Sequence, residues 1–241
     1  MPELRIGTAG WTIPSTLADQ FSSEGTSLDR YSARFTCAEI NSTFHRSHRP
    51  STYERWALST PPEFRFSAKL PKTITHVRKL AGAEDLLARY LDEIAALGDR
   101  LAVHLVQLPP KLQFDQSLAA DFFARLKART ALAIVCEPRH PTWFEPDANG
   151  MLADLEIARV AADPAPVPDA AVPGGWPGLI YYRLHGSPSV YRSSYQDGRL
   201  EAYAAQIKAD RPRADIWCLF DNTASSAATG DALALEDLLT N

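Results

Sequence analysis

The sequence predicts a (β/α)8 TIM-like barrel on three observations: eight short apolar runs, helical periodicity between most of them, and no linker dividing the chain. Strand–helix alternation means parallel pairing with right-handed crossovers. Eight such units in 241 residues match the usual size of the closed barrel. The rival is an open doubly wound sheet, which calls for a glycine-rich phosphate turn after its first strand. Gly7-Thr-Ala-Gly10 lacks the GxGxxG spacing of that turn, so the barrel is preferred. The expected unit is a single domain covering 1–241.

The strands are justified one at a time. Arg5–Ala9 is a short apolar run ended by Gly10-Trp11, and Thr36–Asn41 becomes polar at Glu39 and Asn41. Arg65–Leu70 alternates strictly, with Ser67 and Lys69 on one face. Leu101–Gln107 is halted by Leu108-Pro109-Pro110. Ala131–Cys136 is a buried run cut off by Glu137, Pro138, Arg139 and His140. Ala158–Asp163 is weaker because of its alanines. A Pro/Gly-rich loop, Pro164–Gly178, follows it where a helix would otherwise stand. Leu179–Leu184 runs into His185-Gly186, and Asp215–Phe220 is the eighth strand.

Between them, Leu28–Phe35, Pro50–Leu58, Ala83–Leu97, Asp115–Ala128, Asn149–Ile157, Leu200–Ile207 and Ala224–Leu239 read as helices. Ala83–Leu97 is the clearest, with Leu87, Tyr90, Leu91 and Ile94 at i, i+3, i+4, i+7 and Gly98 as its stop. Pro50 suits a first helical turn.

Composition excludes several classes. Hydrophobic residues make up 45% and charged residues 22%, which is ordinary for a globular chain with a real core. No apolar run approaches a membrane span, and no signal segment precedes the first strand, so a cytoplasmic protein without membrane contact is expected. A net charge of −4 gives no general argument for nucleic-acid binding. The three cysteines (Cys37, Cys136, Cys218) form no CxxC and lie in strand-like runs, which reads as free buried thiols in a reducing compartment.

In a parallel barrel every strand ends on one face, where catalytic groups gather. Here the ends carry Glu39 and Asn41, Lys69, Gln107, Glu137 with Arg139 and His140, Asp163, Arg183 with His185, and Asp221 with Asn222. Alternation allows Glu39 with Asn41, and Tyr181 with Arg183 and His185, to point inward. Glu137 and Arg183 also fit a buried ion pair closing the barrel, and Gln107 a cap before the two prolines. His104, of opposite parity to Gln107, is expected to face the helices. His45, His48 and His76 fall in loops on the same face. The surrounding loops are basic (Arg46, Arg49, Lys72, Arg78, Lys79, Lys111, Arg139 and Arg192) above Glu39, Glu137 and Asp163. Cationic walls suit an anionic ligand.

Several segments together resemble the YecE-like family, domain of unknown function 72. They are Ile6-Gly-Thr-Ala-Gly-Trp11, Glu39-Ile-Asn-Ser-Thr-Phe44, Lys69 to His76, Gln107-Leu-Pro-Pro110, Glu137-x-Arg-His140 with Trp143, Tyr182-Arg-Leu-His-Gly186 and Phe220–Ala227. The resemblance runs in order from residue 6 to about 235 and implies a TIM barrel of unestablished activity. It marks Trp11, Glu39, Asn41, Lys69, Gln107, Glu137, Arg139, His140, Arg183, His185 and Asn222. Departures are Pro138 in place of an aromatic, His45 of a tyrosine, Asp221 of an asparagine, and Ser225-Ser226 where a glycine is common. The loop after Trp11 also lacks the usual aromatic cluster.

The functional expectation is a small anionic ligand, phosphorylated or carboxylate, bound at the strand ends and transformed there. Glu39, Glu137, His140 and His185 are the expected catalytic set. Trp11, Asn41, Lys69, Gln107, Arg139, Arg183 and Asn222 are the expected binding set. The cofactor is not legible: carboxylates of this kind are compatible with a divalent metal, but none is predicted. A metal-dependent phosphoesterase on nucleic acid and a non-catalytic binding module are the alternatives. Oligomeric state is not legible.

Overall fold

The computed structural model describes residues 2–196 and 198–240; Met1 and Asn241, the ends of the expected domain, and Asp197 lie outside them. Its strands are β1 (Leu4–Ala9), β2 (Cys37–Ile40), β3 (Arg65–Lys69), β4 (Leu101–Gln107) and β5 (Ala133–Glu137). They continue with β6 (Ile157–Arg159), β7 (Ala161–Asp163), β8 (Gly174–Gly175), β9 (Leu179–Leu184) and β10 (Asp215–Phe220). The helices are α1 (Ser27–Ser32), α2 (Ser42–His45), α3 (Pro50–Leu58), α4 (Glu84–Ile94), α5 (Gln116–Lys127), α6 (Pro146–Asp154), α7 (Arg199–Asp210) and α8 (Ala227–Thr240).

All strands join one sheet in the order β7-β9-β10-β1-β2-β3-β4-β5-β6-β8. The predicted sixth strand is split at Val160. Its first half, β6, pairs with β5, and its second half, β7, pairs with β9. The Val160 amide still donates to the Cys136 carbonyl at 2.9 Å, so the ring closes through this residue. The barrel is therefore eight-stranded, as expected. The two-residue β8 is an antiparallel addition from the Pro/Gly-rich loop, which carries only a short turn, Pro168–Ala171, in place of a helix.

The interior is set by strand alternation. Cys37, Val103, Leu105, Val135, Leu179, Tyr181, Trp217 and Leu219 face inward, all odd-numbered, joined by Ala158 and Val160 from the split strand. Tyr181 and Trp217 stack at 6.1 Å across the axis side. Complete burial of such side chains contributes about 1.5–3 kcal/mol each. Gly7 is required for the approach of β1 to β2, because a Cβ there would lie 2.2 Å from the Cys37 carbonyl oxygen. Arg5 closes the lower end, donating to the carbonyls of Thr36 and Glu63 and standing over Trp217.

Differences from expectation are local. The helix expected over Asn149–Ile157 runs instead over Pro146–Asp154. Pro146 fits its first turn, and Glu156, with φ +53°, ends it and releases Ile157 into β6. The stop at Gly98 holds: Gly98 takes φ +53° after a short turn that follows α4. The turn Ser15–Gln20, α2 and the π-turn Thr73–Val77 carry too few residues for periodicity to reveal them. His104 faces the helices as expected, its Nδ1 3.1 Å from the Tyr90 hydroxyl of α4. The three cysteines are free and buried. Among the described residues no helix is long and apolar enough to cross a membrane.

Candidate functional site

The inward parity that fills the barrel with apolar side chains continues upward into charge. Above Tyr181 comes Arg183, above Cys37 comes Glu39, above Val135 comes Glu137, and above Leu219 comes Asp221. Arg183 is 0% exposed and stands at the centre. Its Nε donates to Glu39 Oε2 at 2.9 Å and its Nη2 to Glu39 Oε1 at 2.5 Å. Its Nη1 donates to Glu137 Oε2 at 2.6 Å, and Nη2 also reaches Asp221 Oδ2 at 2.9 Å. Three carboxylates thus converge on one guanidinium. Tyr181 supports them from below, its hydroxyl 3.1 Å from Glu39 Oε2 and 2.6 Å from Ser67 Oγ.

A second tier completes the satisfaction of these groups. Glu137 accepts from Gln107 Nε2 at 3.0 Å and from Arg139 Nη2. His185 lies between two acids, with Nε2 3.0 Å from Glu137 Oε1 and Nδ1 3.1 Å from Asp221 Oδ2. Asn41 Nδ2 donates to Asp221 Oδ1 at 3.2 Å. Burial alone would raise the Glu137 carboxyl, but Arg183, Arg139 and His185 outweigh it and hold it well below the usual range. The same contest holds Asp221 low. The three acids in turn keep Arg183 charged well above its ordinary value, against the effect of burial.

Lys69 differs from its neighbours. It is 7% exposed at the top of β3, yet among the described residues its Nζ has no hydrogen-bond partner. Instead it lies 4.2 Å from the centre of the Phe44 ring, a cation–π contact supplied by α2. Thr43 fixes that helix to β3 by donating to the Lys69 and Ile40 carbonyls. Burial first, then the charge of Arg183, lowers Lys69 to about 8 in spite of the carboxylates nearby. The His76 ring meets Phe44 edge-on, centroids 4.9 Å apart, with Nδ1 bonded to Thr75 Oγ1. Burial and the charges of Lys69 and Arg139 lower the His76 value.

The structure thus gathers Glu39, Asn41, Lys69, Gln107, Glu137, Arg139, Arg183 and His185 into one cluster, together with Asp221. Other expected residues stand elsewhere. His140 caps the short turn Pro141–Phe144 through Thr142, its Nδ1 3.0 Å from Thr142 Oγ1, and touches none of the cluster. Trp11 packs edge-on against Trp56 and Phe66. Asn222 donates to Asp231 Oδ2 and the Ser193 carbonyl, tying α8 to the loop after β9. Asp163 is turned outward to Arg199 because the inward residues of its strand are even-numbered.

Two residues of the candidate site, Asp221 and His76, lie among the strand ends and loops noted in the sequence but outside the expected catalytic and binding sets. Asp221 continues the parity of Trp217 and Leu219, a signal that would have selected it over Asn222. His76 lies on a loop where no periodicity points to it. Of the basic loop residues, Arg46 and Lys72 line a cavity of about 220 Å³ that shares Phe44 with the surroundings of Lys69 and is bounded by Tyr53, Arg89 and Glu93. Only Arg139 of that group bonds to the cluster. Among the described residues no group of three or more His, Cys, Asp or Glu side chains is arranged to hold a metal ion. Glu39, Glu137 and Asp221 are committed to Arg183.

Comparison with known proteins agrees with this architecture. The UPF0759 protein YecE of Escherichia coli strain K12 is 31% identical over 176 residues, 67% of this chain and 60% of YecE. The matched segment therefore spans about 60% of that relative's length. A DUF72 family protein of Enterococcus faecalis V583 superposes with a TM-score of 0.82 at 17% identity, covering 99% of this chain and 96% of that one. One from Thermotoga maritima gives 0.79 at 20% identity, covering 99% and 100%. The family model described as protein of unknown function DUF72 matches residues 5–241, and the chain belongs to that family.

Proposed function

We propose that the barrel mouth binds a small anionic ligand, phosphorylated or carboxylate, and acts on it. The observation that carries this reading is the order of charge along the barrel axis. Glu39, Glu137 and Arg183 are fully buried and mutually satisfied, whereas Lys69 and the 21%-exposed Arg139 stand above them. Three carboxylates already neutralise Arg183 from below. The cations that remain open to an incoming molecule are therefore Lys69, which has no hydrogen-bond partner, and Arg139, whose buried Nε is likewise unpartnered among the described residues. An anion seated between them gains charge-assisted bonds at a site with little water to compete.

The same geometry argues for new roles within the expected catalytic set. Glu39 and Glu137 each accept three or more hydrogen bonds, and Glu137 is held deeply ionised, which makes it a weak base. We assign them to holding Arg183 and His185 in place. Lys69 and His76 are the groups left free to move a proton. The phosphoesterase alternative loses support, since its metal would have to displace Arg183 from the same acids.

A thermal-shift screen tests the reading. Phosphate, sulfate, lactate and simple sugar phosphates are expected to raise the melting temperature of the protein, and Lys69→Met with Arg139→Met to abolish the rise. No anion-dependent rise in the folded wild type would overturn the proposal.

A further inference from the structure

Lys69 has the surroundings of a reacting amine more than those of a simple anion ligand. We infer that its Nζ is a nucleophile that forms an imine with a small oxo acid whose carboxylate lies against Arg139. The inference rests on the anion-binding reading above and names the substrate class of that site.

The surroundings of the amine carry it. The amine is nearly buried and bonded to nothing, although three carboxylates lie within its electrostatic reach. Those acids are turned to Arg183, so they neither pin the ammonium in one geometry nor hold its protons in ion pairs. The Phe44 face beneath Nζ is an apolar platform that excludes water from one side of the nitrogen. His76, edge-on to the same ring and with only its Nδ1 bonded among the described residues, lies within electrostatic reach of Lys69 and is assigned to take the ammonium proton. A value of about 8 leaves a useful fraction of Lys69 neutral near physiological pH, as an amine nucleophile requires. Asn41 adds a buried Oδ1 without a partner, an acceptor beside Asp221 for a donor on the ligand.

The step balances without a cofactor. The neutral Lys69 amine donates its lone pair to the carbonyl carbon, and the C=O π pair moves to oxygen, which takes a proton. The resulting carbinolamine loses that oxygen as water, with the two hydrogens of the amine accounted for in the water and in the proton returned to the base. The products are the imine and one water. Nothing is oxidised or reduced. Arg139 and the carboxylate supply orientation, and the imine's positive charge, once protonated, faces Glu39, Glu137 and Asp221.

The test uses pyruvate and glyoxylate as probes, each with sodium cyanoborohydride to reduce any imine in place. The expected result is one adduct per chain, with the mass of the oxo acid less one oxygen. Peptide mapping should locate it on Lys69 and leave the exposed Lys72 and Lys111 unlabelled. Lys69→Arg, whose guanidinium is not a nucleophile at this pH, should lose the adduct. Should that variant fail to fold, the wild-type peptide map decides alone. No adduct with either acid, or labelling spread over the exposed lysines, overturns the inference. In parallel, a melting rise with lactate or sulfate but no adduct would overturn the imine alone. Absence of both would overturn the anion-binding reading as well.

Discussion

Arg183 grips Glu39 side-on across 144 residues of sequence, Nε to Oε2 at 2.9 Å and Nη2 to Oε1 at 2.5 Å, with neither side chain exposed. This two-point contact joins β9 to β2 across the two strands, β10 and β1, that stand between them in the wall. Because Glu137 and Asp221 bind the same guanidinium, one side chain holds four strand ends in a fixed relation.

Replacing that side chain leaves buried acids facing one another. Arg183→Met is expected to destabilise the fold by about 3–5 kcal/mol, the range for removing one partner of a buried pair. Urea unfolding of the variant measures it. A loss under about 1 kcal/mol, the scale of exposed pairs, would mean the cluster is hydrated rather than dry.

Acid should attack the same cluster. Glu137 and Asp221 are held below their ordinary values of 4.5 and 3.8, so the folded state binds protons more weakly than the unfolded chain. Their contribution is complete above those ordinary values and is lost as pH falls through the folded ones. Stability is expected to drop steeply below pH 4.5. Glu137→Gln should cost about 1.5–3 kcal/mol at neutral pH and flatten the acid slope. Parallel denaturation series from pH 7 to 3 compare the two proteins, and equal slopes would contradict this assignment.

His104 provides a separate acid effect. Burial lowers it from 6.5 to about 4, so the unfolded chain takes up its proton first as pH falls. The penalty begins below pH 6.5 and is complete near pH 4, reaching about 3 kcal/mol. His104→Gln, which preserves a partner for the Tyr90 hydroxyl, should remove the slope over that interval. NMR titration of the ring reports the value directly, and a midpoint near 6.5 would refute it.

Anion affinity should depend on pH through Lys69. Its ammonium is the binding form, and burial sets its loss at about 8. Sulfate, whose own charge is constant, is expected to bind tightly below pH 8 and to weaken about tenfold per unit above it. Imine formation should follow the opposite trend, rising through the same value. Arg139→Met should weaken sulfate by about 1.5–3 kcal/mol at every pH, without moving the midpoint. Calorimetric titration at stepped pH separates the two residues.

The barrel was legible because each strand is an apolar run and each helix has its own period, so local pattern and topology agree. The split at Val160 was not, since Ala158–Asp163 reads as one strand and only its two neighbours, β5 and β9, impose the break. The site was legible where parity extends a strand, as at Glu39, Lys69, Gln107, Glu137 and Arg183. Beyond the last paired residue the chain turns and parity no longer fixes direction. His140 became a cap on Thr142 and Asn222 an anchor for α8, while Asp221, one residue nearer the strand, took the inward place. Phe44 and His76 sit on four- and five-residue turns, too short to leave a pattern.

The most direct test of the account is a high-resolution crystal structure of the protein soaked in sulfate. The expected result is a sulfate within hydrogen-bond distance of both Lys69 Nζ and the Arg139 guanidinium, above an intact Arg183–Glu137–Glu39 cluster. A mouth left without sulfate while the ion occupies the Arg46 and Lys72 cavity would contradict it.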